Sequence, residues 1–191
     1  TETTRYRYDD LNRLLSSRRV STDSAAPPEE TGYSHDINGN RQSKTVGGVT
    51  AHYTWDVNDR LVAVDRNGRQ VFAASYDYRT RRLSKSECQE DGSLKTTVFR
   101  YDQGDSFQEF EGEAKKVEFV RGSGMGGGIG SILYSERAQI DGGVEYFHFN
   151  AVGHTVATSD GGGAARSSSL YEAYGNIVLS TGSSQNNRLA N

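Results

Sequence analysis

The sequence is poor in the residues that cross-link a chain, interrupt strands or span a membrane. Among its 191 residues there are one cysteine, two prolines, one methionine and one tryptophan, and hydrophobic residues make up only 34%. The single cysteine, Cys88, excludes an intrachain disulfide and any cysteine-based metal cluster. No apolar run approaches the roughly 18–20 residues that a membrane helix needs, and residues 1–7 lack the apolar core of a signal peptide. The sequence therefore predicts no membrane span.

An excess of charge of one sign is also missing. The formal net charge is −3, and the basic residues are scattered along the chain instead of being gathered into a patch. Proteins that bind nucleic acids concentrate their lysine and arginine residues. We therefore expect no nucleic-acid partner.

Glycine and tyrosine are plentiful, with 22 and 11 residues, which is typical of β-rich proteins with many turns. Asn-Gly, Asp-Gly and Gly-Gly pairs recur, for example Gly47-Gly48 and Asn67-Gly68, and each favours a tight hairpin turn. Short alternating stretches such as Val117-Glu118-Phe119 lie between them, as in strands with one covered face. No stretch of ten or more residues has a helical stripe. These patterns predict an all-β chain of successive antiparallel hairpins.

An aromatic–acidic pair returns along the chain, and its first four gaps are 27, 20, 21 and 25 residues. Such a period indicates many copies of one small unit. A turn-forming residue usually follows four places after the aromatic, with Thr80 as the exception, and a polar or basic residue comes next. We predict that the aromatics stack as ladders and that the acids accept turn N–H groups. The predicted structural repeat residues are Tyr8, Asp9, His35, Asp36, Trp55, Asp56, Tyr76, Asp77, Tyr101, Asp102, Phe149, Asn150, Tyr171 and Glu172.

These copies resemble the YD repeats of the RHS family. Residues 6–14 (YRYDDLNRL) and 53–61 (YTWDVNDRL) match the repeat, while residues 146–153 (YFHFNAVG) and 171–176 (YEAYGN) resemble the opening of the RHS-associated core region. The resemblance extends from about residue 6 to residue 190. It implies a segment of a spiralling β-sheet that closes into a hollow shell.

In bacterial polymorphic toxins and insecticidal toxin complexes of this family the shell encloses a C-terminal toxin, and the animal teneurins use the same architecture at the cell surface. The resemblance therefore implies a non-catalytic shell segment of a secreted or surface bacterial protein, which encloses or presents a toxin. The expected partners are flanking repeats or toxin cargo of the same polypeptide, with self-association through open sheet edges. Exposed aromatic ladders that bind a glycan or a cell-surface protein are the alternative.

The predicted organisation has four parts. Residues 1–120 form the hairpin array, with a proline-containing loop near 21–31, and residues 121–131 form a glycine-rich connection. Residues 132–180 begin the core-like repeats. Residues 181–191 are a polar tail, and we expect the chain to be truncated there.

Four sequence patterns resemble parts of binding or catalytic sites, but each has a simpler structural interpretation. Residues 122–127 satisfy G-x-G-x-x-G but lack the following helix of a dinucleotide site, and residues 36–47 start like a calcium loop but lack its glycine and glutamate. His148 and His154 have no third metal ligand at a recognisable spacing. Glu109, Glu111 and Glu113 alternate as on a solvated strand edge. We predict no catalytic, cofactor-binding or metal-binding residues, and hence no enzyme and no cofactor.

Overall fold

The computed structural model describes residues 2–21, 27–122, 132–138, 143–173 and 175–184. These residues form β-strands joined by turns, and they contain no helix. Contacts divide the chain into two compact units, residues 1–96 (unit 1) and 97–191 (unit 2). The predicted all-β class with successive antiparallel hairpins is confirmed.

In unit 1 each strand pairs antiparallel with the next one along the chain. Hairpins arise because short turns return the chain at once, as at Gly47–Gly48 and at Asn67–Gly68, where all four residues have positive φ. Turns of this kind match the twist of the strands that they join. The strands are β1 Glu2–Tyr8, β2 Leu14–Ser21, β3 Glu29–His35, β4 Arg41–Val46, β5 Val49–Trp55, β6 Leu61–Arg66, β7 Arg69–Tyr76, β8 Arg82–Cys88 and the start of β9 Leu94–Asp102.

Unit 1 has little hydrophobic core. Of its described hydrophobic residues, Ala51 and Val64 are the buried ones, with 7% and 9% of their surface exposed. Hydrophobic burial is usually the main stabilising term in a domain. Polar contacts in this unit therefore carry an unusual share of the structural specificity.

Unit 2 repeats the antiparallel order from β9 onward. Its buried cluster consists of Val117, Phe119, Ile132 and Phe147, with Phe149 packed against it. The further strands are β10 Asp105–Glu111, β11 Ala114–Arg121, β12 Ile132–Arg137, β13 Val144–Phe149, β14 Thr155–Ser159, β15 Ala165–Tyr171 and β16 Ile177–Gly182.

The strand ends show where the predicted loop, glycine-rich connection and polar tail lie in the structure. The connection between β2 and β3 runs from residue 22 to residue 28, within the predicted loop, and residues 22–26 lie outside the described residues. Most of the predicted glycine-rich connection also lies outside them, between the ends of β11 and β12. Residues 185–191 of the predicted tail also lie outside the described residues.

Candidate functional site

The acidic residue of the repeat organises a five-residue turn. In the turn at residues 56–60, the Asp56 N–H donates to the Arg60 carbonyl (3.0 Å), and the Asp59 N–H donates to the Asp56 carbonyl (3.1 Å). The Asp56 carboxylate accepts the backbone N–H groups of Asn58 (2.9 Å) and Arg60 (3.1 Å) through Oδ1. Its Oδ2 accepts Nε of Arg60 at 2.7 Å. One carboxylate therefore satisfies three donors of its own turn, and we call this arrangement an Asp turn.

The same backbone bonds close the turns at residues 9–13, 36–40, 77–81, 150–154 and 172–176. The Oδ1 atoms of Asp9, Asp36, Asp77 and Asn150 accept the same two N–H groups as that of Asp56. In Asp9 and Asp77, as in Asp56, Oδ2 accepts Nε of the closing arginine. The turn is thus a property of the repeat and not of one copy.

The fourth residue of each turn adopts the left-handed conformation. Its φ is +60° at Asn12, +91° at Gly39, +57° at Asp59, +90° at Gly153 and +84° at Gly175. Thr80 departs from the sequence pattern but has the same conformation, with φ of +63°. A β-branched residue is strained there, so the turn imposes its geometry on Thr80.

A β-bulge follows each turn at a fixed distance. Tyr8 pairs with Leu14 whereas Arg7 pairs with Ser16, so Leu15 is the extra residue of the returning strand. The bulge bends the strand and increases its local twist. An extra residue seven places after the repeat aromatic recurs in the other turns: Gln42, Val62, Leu83, Val156 and Val178.

The hydrogen bonds of the Asp turns stabilise the ionised carboxylates. The pKa of Asp9 is lowered chiefly by the hydrogen bond from the Arg13 N–H, and that of Asp56 chiefly by the hydrogen bond from the Arg60 side chain. At Asp36 and Asp77 partial desolvation acts to raise the pKa, but the hydrogen bonds from Asn40 and Arg81 outweigh it and the pKa is lowered. These carboxylates are therefore poor proton donors, since they hold their charge to bind the turn.

The aromatic of one repeat bonds to the hairpin before it. Nε1 of Trp55 donates to the Arg41 carbonyl at 2.8 Å, and the Tyr76 hydroxyl donates to the Leu61 carbonyl at 3.0 Å. The Tyr171 hydroxyl likewise donates to the carbonyl of Thr155 at 2.8 Å. In all three cases the acceptor is the first residue after the five-residue turn of the preceding repeat. The predicted aromatic ladder is replaced here by ring-to-backbone hydrogen bonds.

Two copies lack this bond because their aromatic position holds a side chain of different chemistry. His35 occupies the position of Trp55 and Tyr76, and its buried Nδ1 has no hydrogen-bond partner. Phe149 has no polar atom and instead packs on Phe147, with ring centroids 6.2 Å apart. The substitutions seen in the sequence thus remove a specific contact.

Further bonds link the four Asp turns of unit 1 into one row. Nη1 of Arg13 donates to the Asp36 carbonyl at 2.9 Å. The side-chain amides of Asn38 and Asn40 donate to Oδ1 of Asp59 at 3.0 and 2.5 Å.

The row continues from the third turn to the fourth through one arginine. Nη1 of Arg60 donates to the Asp77 carbonyl at 2.9 Å, and the guanidinium lies 4.9 Å from the centre of the Tyr76 ring. Alternate connections of an antiparallel meander lie at the same end of its strands. We call the row formed by the turns 9–13, 36–40, 56–60 and 77–81 the Asp-turn edge.

The structure also separates true copies of the turn from apparent ones. Tyr101-Asp102 ends β9 at a two-residue turn, where Asp102 pairs with Asp105. Two hairpin turns that the Asp-Gly signals predict, at residues 89–93 and 160–164, have the same backbone bonds although no aromatic–acidic pair marks them. Asp160 even accepts the N–H groups of Gly162 and Ala164 through Oδ1. The signal that was available for it is the Asp-Gly-Gly-Gly run, without an aromatic.

The other candidate residues have ordinary structural contacts. Nε2 of His148 lies 2.9 Å from the Ser159 hydroxyl, while His154 stacks on Tyr171 with ring centroids 5.0 Å apart. Glu109 is buried in β10, and Glu113 lies beyond the end of that strand, so the three glutamates do not form one alternating edge. Residues 123–131 of the glycine-rich motif lie outside the described residues.

Neither a metal-binding cluster nor a membrane-spanning helix is present in the part of the chain that the structure describes. No group of three or more His, Cys, Asp or Glu side chains there could hold a metal ion. No helix there is long and apolar enough to cross a membrane.

Comparison with known proteins found a relative much longer than this chain. No protein-family model matches. The tRNA3(Ser)-specific nuclease WapA of Bacillus spizizenii is 36% identical over 148 residues, which are 75% of this chain and 6% of that protein.

Solved structures resemble the fold over almost the whole chain. The Photorhabdus luminescens Tc holotoxin pore matches with a TM-score of 0.50 and 16% identity, over 95% of this chain and 10% of that chain. The TcdB2-TccC3-TEV crystal structure matches with a TM-score of 0.51 and 16% identity, over 96% and 10% respectively. The Tyr-Asp repeats, the linked antiparallel hairpins and these similarities show that the chain belongs to the RHS/YD-repeat family.

Proposed function

We propose that the chain is a non-catalytic structural segment of an RHS-repeat shell. The observation that carries this proposal is the Asp-turn edge, in which three links join four successive hairpins. Carboxylates that catalyse proton transfer need pKa values near the working pH. The carboxylates of Asp9, Asp36, Asp56 and Asp77 have lowered pKa values and accept donors of their own turns, which suits a scaffold. All seven predicted repeat pairs are proposed as structural residues, since six of them begin a five-residue turn closed by the same backbone bonds.

The proposed role of the shell is to enclose or present a toxin encoded in the same polypeptide. The WapA relative is named as a nuclease, and the matched solved structures are named as Tc toxin assemblies. Because this chain spans about 6% of that relative and 10% of the matched chains, its cargo, flanking repeats and release from a bacterium remain proposals. Its direct partners would be neighbouring repeats and the cargo, with no nucleic acid and no membrane span.

A surface module that binds a glycan or a cell-surface protein is the second candidate. Tyr6 and Tyr8 favour it, since both are exposed on β1. The aromatics Trp55, Tyr76 and Tyr171 count against it, because they are partly buried and their polar atoms are hydrogen-bonded to the backbone. A glycan array would test it, and specific binding lost in the Tyr8→Ala variant would favour this candidate over the scaffold.

Protease protection tests the shell proposal in the natural polypeptide that contains this chain. We expect the region after the repeats to resist limited proteolysis in the parent protein. Arg60→Ala should make it sensitive, because Arg60 links two turns. Arg79→Ala is the matched control, since Arg79 lies on the same edge but its side chain forms none of these links. If the region were digested at once in the parent protein, and as fast as in the Arg60→Ala variant, enclosure would be contradicted.

A further inference from the structure

The sheet of unit 1 has a small pocket centred on Ala51. In the register of β4, β5 and β6, Ala51 lies between Lys44 on one side and Arg66 on the other. Residues opposite each other in neighbouring strands project from the same face, and so do residues two apart in one strand. Val49 and Tyr53 therefore flank Ala51 along β5. These residues line a cavity of about 290 Å³.

The floor and one side of the pocket are apolar. Ala51 forms the floor, with 7% of its surface exposed. Val46 and Val49 form an opposite pair beside it. Because alanine is short, its longer neighbours in the register stand above it and leave a gap between them. The pocket can therefore bury the apolar atoms of a ligand.

The three polar side chains that line the pocket are hydrogen-bond donors, and no carboxylate is among the lining residues. Lys44 and Arg66 carry positive charges, and the Tyr53 hydroxyl can also donate. None of these three side chains forms a hydrogen bond or an ion pair with another residue that the structure describes. The guanidinium of Arg41 lies 5.7 Å from the centre of the Tyr53 ring and adds a further positive charge nearby.

Two like charges thus flank the pocket. Lys44 and Arg66 are two strands apart, which corresponds to roughly 9.6 Å. With the charged groups at that spacing, an anion midway is about 5 Å from each, and by Coulomb's law its two attractions are about four times the single repulsion. The pair of cations therefore favours a bound anion.

Acids elsewhere in unit 1 are matched by cations of their own. Glu29 lies opposite Arg19 in the register of β2 and β3. Asp91 is attracted by Arg69, the residue opposite Arg66 on β7. The charge of the pocket is therefore left for a ligand to neutralise.

The next repeat fills the equivalent row with different side chains. Val64, Phe72 and Glu87 are opposite one another there, at the same distances from the acids of their turns. A phenyl ring takes the place of the alanine, and a glutamate replaces the arginine. Glu87 is itself bound by Lys85 at 2.7 Å. The pocket is therefore a feature of particular side chains and not of the repeat fold.

We propose that this pocket binds a small organic carboxylate. Its charged group lies between Lys44 and Arg66, and its apolar part lies on Ala51 and the two valines. A volume of about 290 Å³ corresponds to roughly ten water molecules in the liquid, so the ligand has about ten non-hydrogen atoms. The donors favour an anion, and the apolar floor favours an organic anion over inorganic phosphate. This site is independent of the proposed function, because a scaffold needs no ligand.

Titration of the 191-residue chain with benzoate, followed by nuclear magnetic resonance, tests the site. Benzoate has the required charge and about the required size, and we expect a dissociation constant in the millimolar range. The backbone amide signals of Val49 and Ala51 should shift in a saturable way. Benzamide, which has the same shape without the charge, should bind at least about threefold more weakly. Equal binding of benzamide, or unshifted signals at tens of millimolar benzoate, would overturn the proposal.

Variants of the lining residues provide the second test. Ala51→Phe should abolish binding, because the ring fills the floor as Phe72 does in the next repeat. Lys44→Gln and Arg66→Gln should each weaken binding roughly two- to fivefold, and they decide the matter if Ala51→Phe does not fold by circular dichroism. Arg18→Gln is the matched control, since it removes one positive charge from the opposite face of the sheet. Binding that is unchanged in both glutamine variants, or weakened as much by Arg18→Gln, would refute the site while leaving the scaffold role intact.

Discussion

The hydroxyl of Tyr76 allows a clean test of how one repeat is held to the repeat before it. In Tyr76→Phe the ring stays between the Arg60 and Arg82 guanidinium groups, 4.9 and 5.8 Å from its centre. The hydrogen bond to the Leu61 carbonyl, 3.0 Å long, is lost. A neutral hydrogen bond of this type contributes about 1 kcal/mol to the free energy of unfolding. We expect Tyr76→Phe to lower stability by that amount.

Thermal unfolding followed by circular dichroism measures this loss. The midpoint should fall by about 2–4 °C if the whole chain unfolds as one unit, and by about 4–8 °C if residues 1–96 unfold alone. Tyr78→Phe is the matched control, because Tyr78 lies two residues away in the same hairpin and is exposed. Identical midpoints for the two variants would show that the ring-to-backbone bond does not stabilise the repeat.

Three further predictions concern the turns. Thr80→Gly should raise the free energy of unfolding by about 0.5–1 kcal/mol, because glycine tolerates the positive φ that strains threonine; urea denaturation measures it, and a loss of stability would contradict the assigned strain. His35→Tyr should add about 1 kcal/mol by supplying the missing hydrogen bond to the carbonyl after the first turn, Leu14; an unchanged urea midpoint would refute this. The pKa values of Asp9, Asp36, Asp56 and Asp77 are lowered by folding, so their stabilisation is present above the unfolded pKa of about 3.9 and is lost as the pH falls through the folded values. Asp56→Asn should therefore weaken the loss of stability in acid, and an unaltered pH dependence of the urea midpoint would contradict it.

The local parts of the repeat could be read from the sequence, and the parts that connect repeats could not. The aromatic, the acid and the residue four places later lie within one turn, so their spacing is visible in a single copy. The bond from Asn38 to Asp59 joins residues 21 positions apart, and nothing in either turn alone specifies it. The same holds for Trp55, whose acceptor at Arg41 depends on the register between β4 and β5.

Two sites, Thr80 and Tyr101-Asp102, show where the sequence pattern misleads. Threonine is not a usual residue for the left-handed position of a turn, so Thr80 departs from the sequence pattern. The closing hydrogen bonds of its turn nevertheless give it the same backbone conformation as the equivalent residues of the other turns. Tyr101-Asp102 has the right composition, but Gln103 and Gly104 close a shorter hairpin before the acid can organise a turn of five residues. The residue types at a turn indicate which conformation is preferred, whereas the hydrogen bonds that close the turn determine which one forms.

The linked row of turns has a mechanical consequence. A chain pulled across the direction of its strands opens hairpin by hairpin, and a hairpin can leave the row only after the guanidinium or amide bond to its neighbour breaks. The three repeats between the four linked turns contain 27, 20 and 21 residues, so their release adds roughly 90, 70 and 70 Å of extended chain. Extension would therefore proceed in discrete steps of roughly 70 to 90 Å, each with its own force threshold. The sheet would therefore open one repeat at a time while the remaining repeats stay folded.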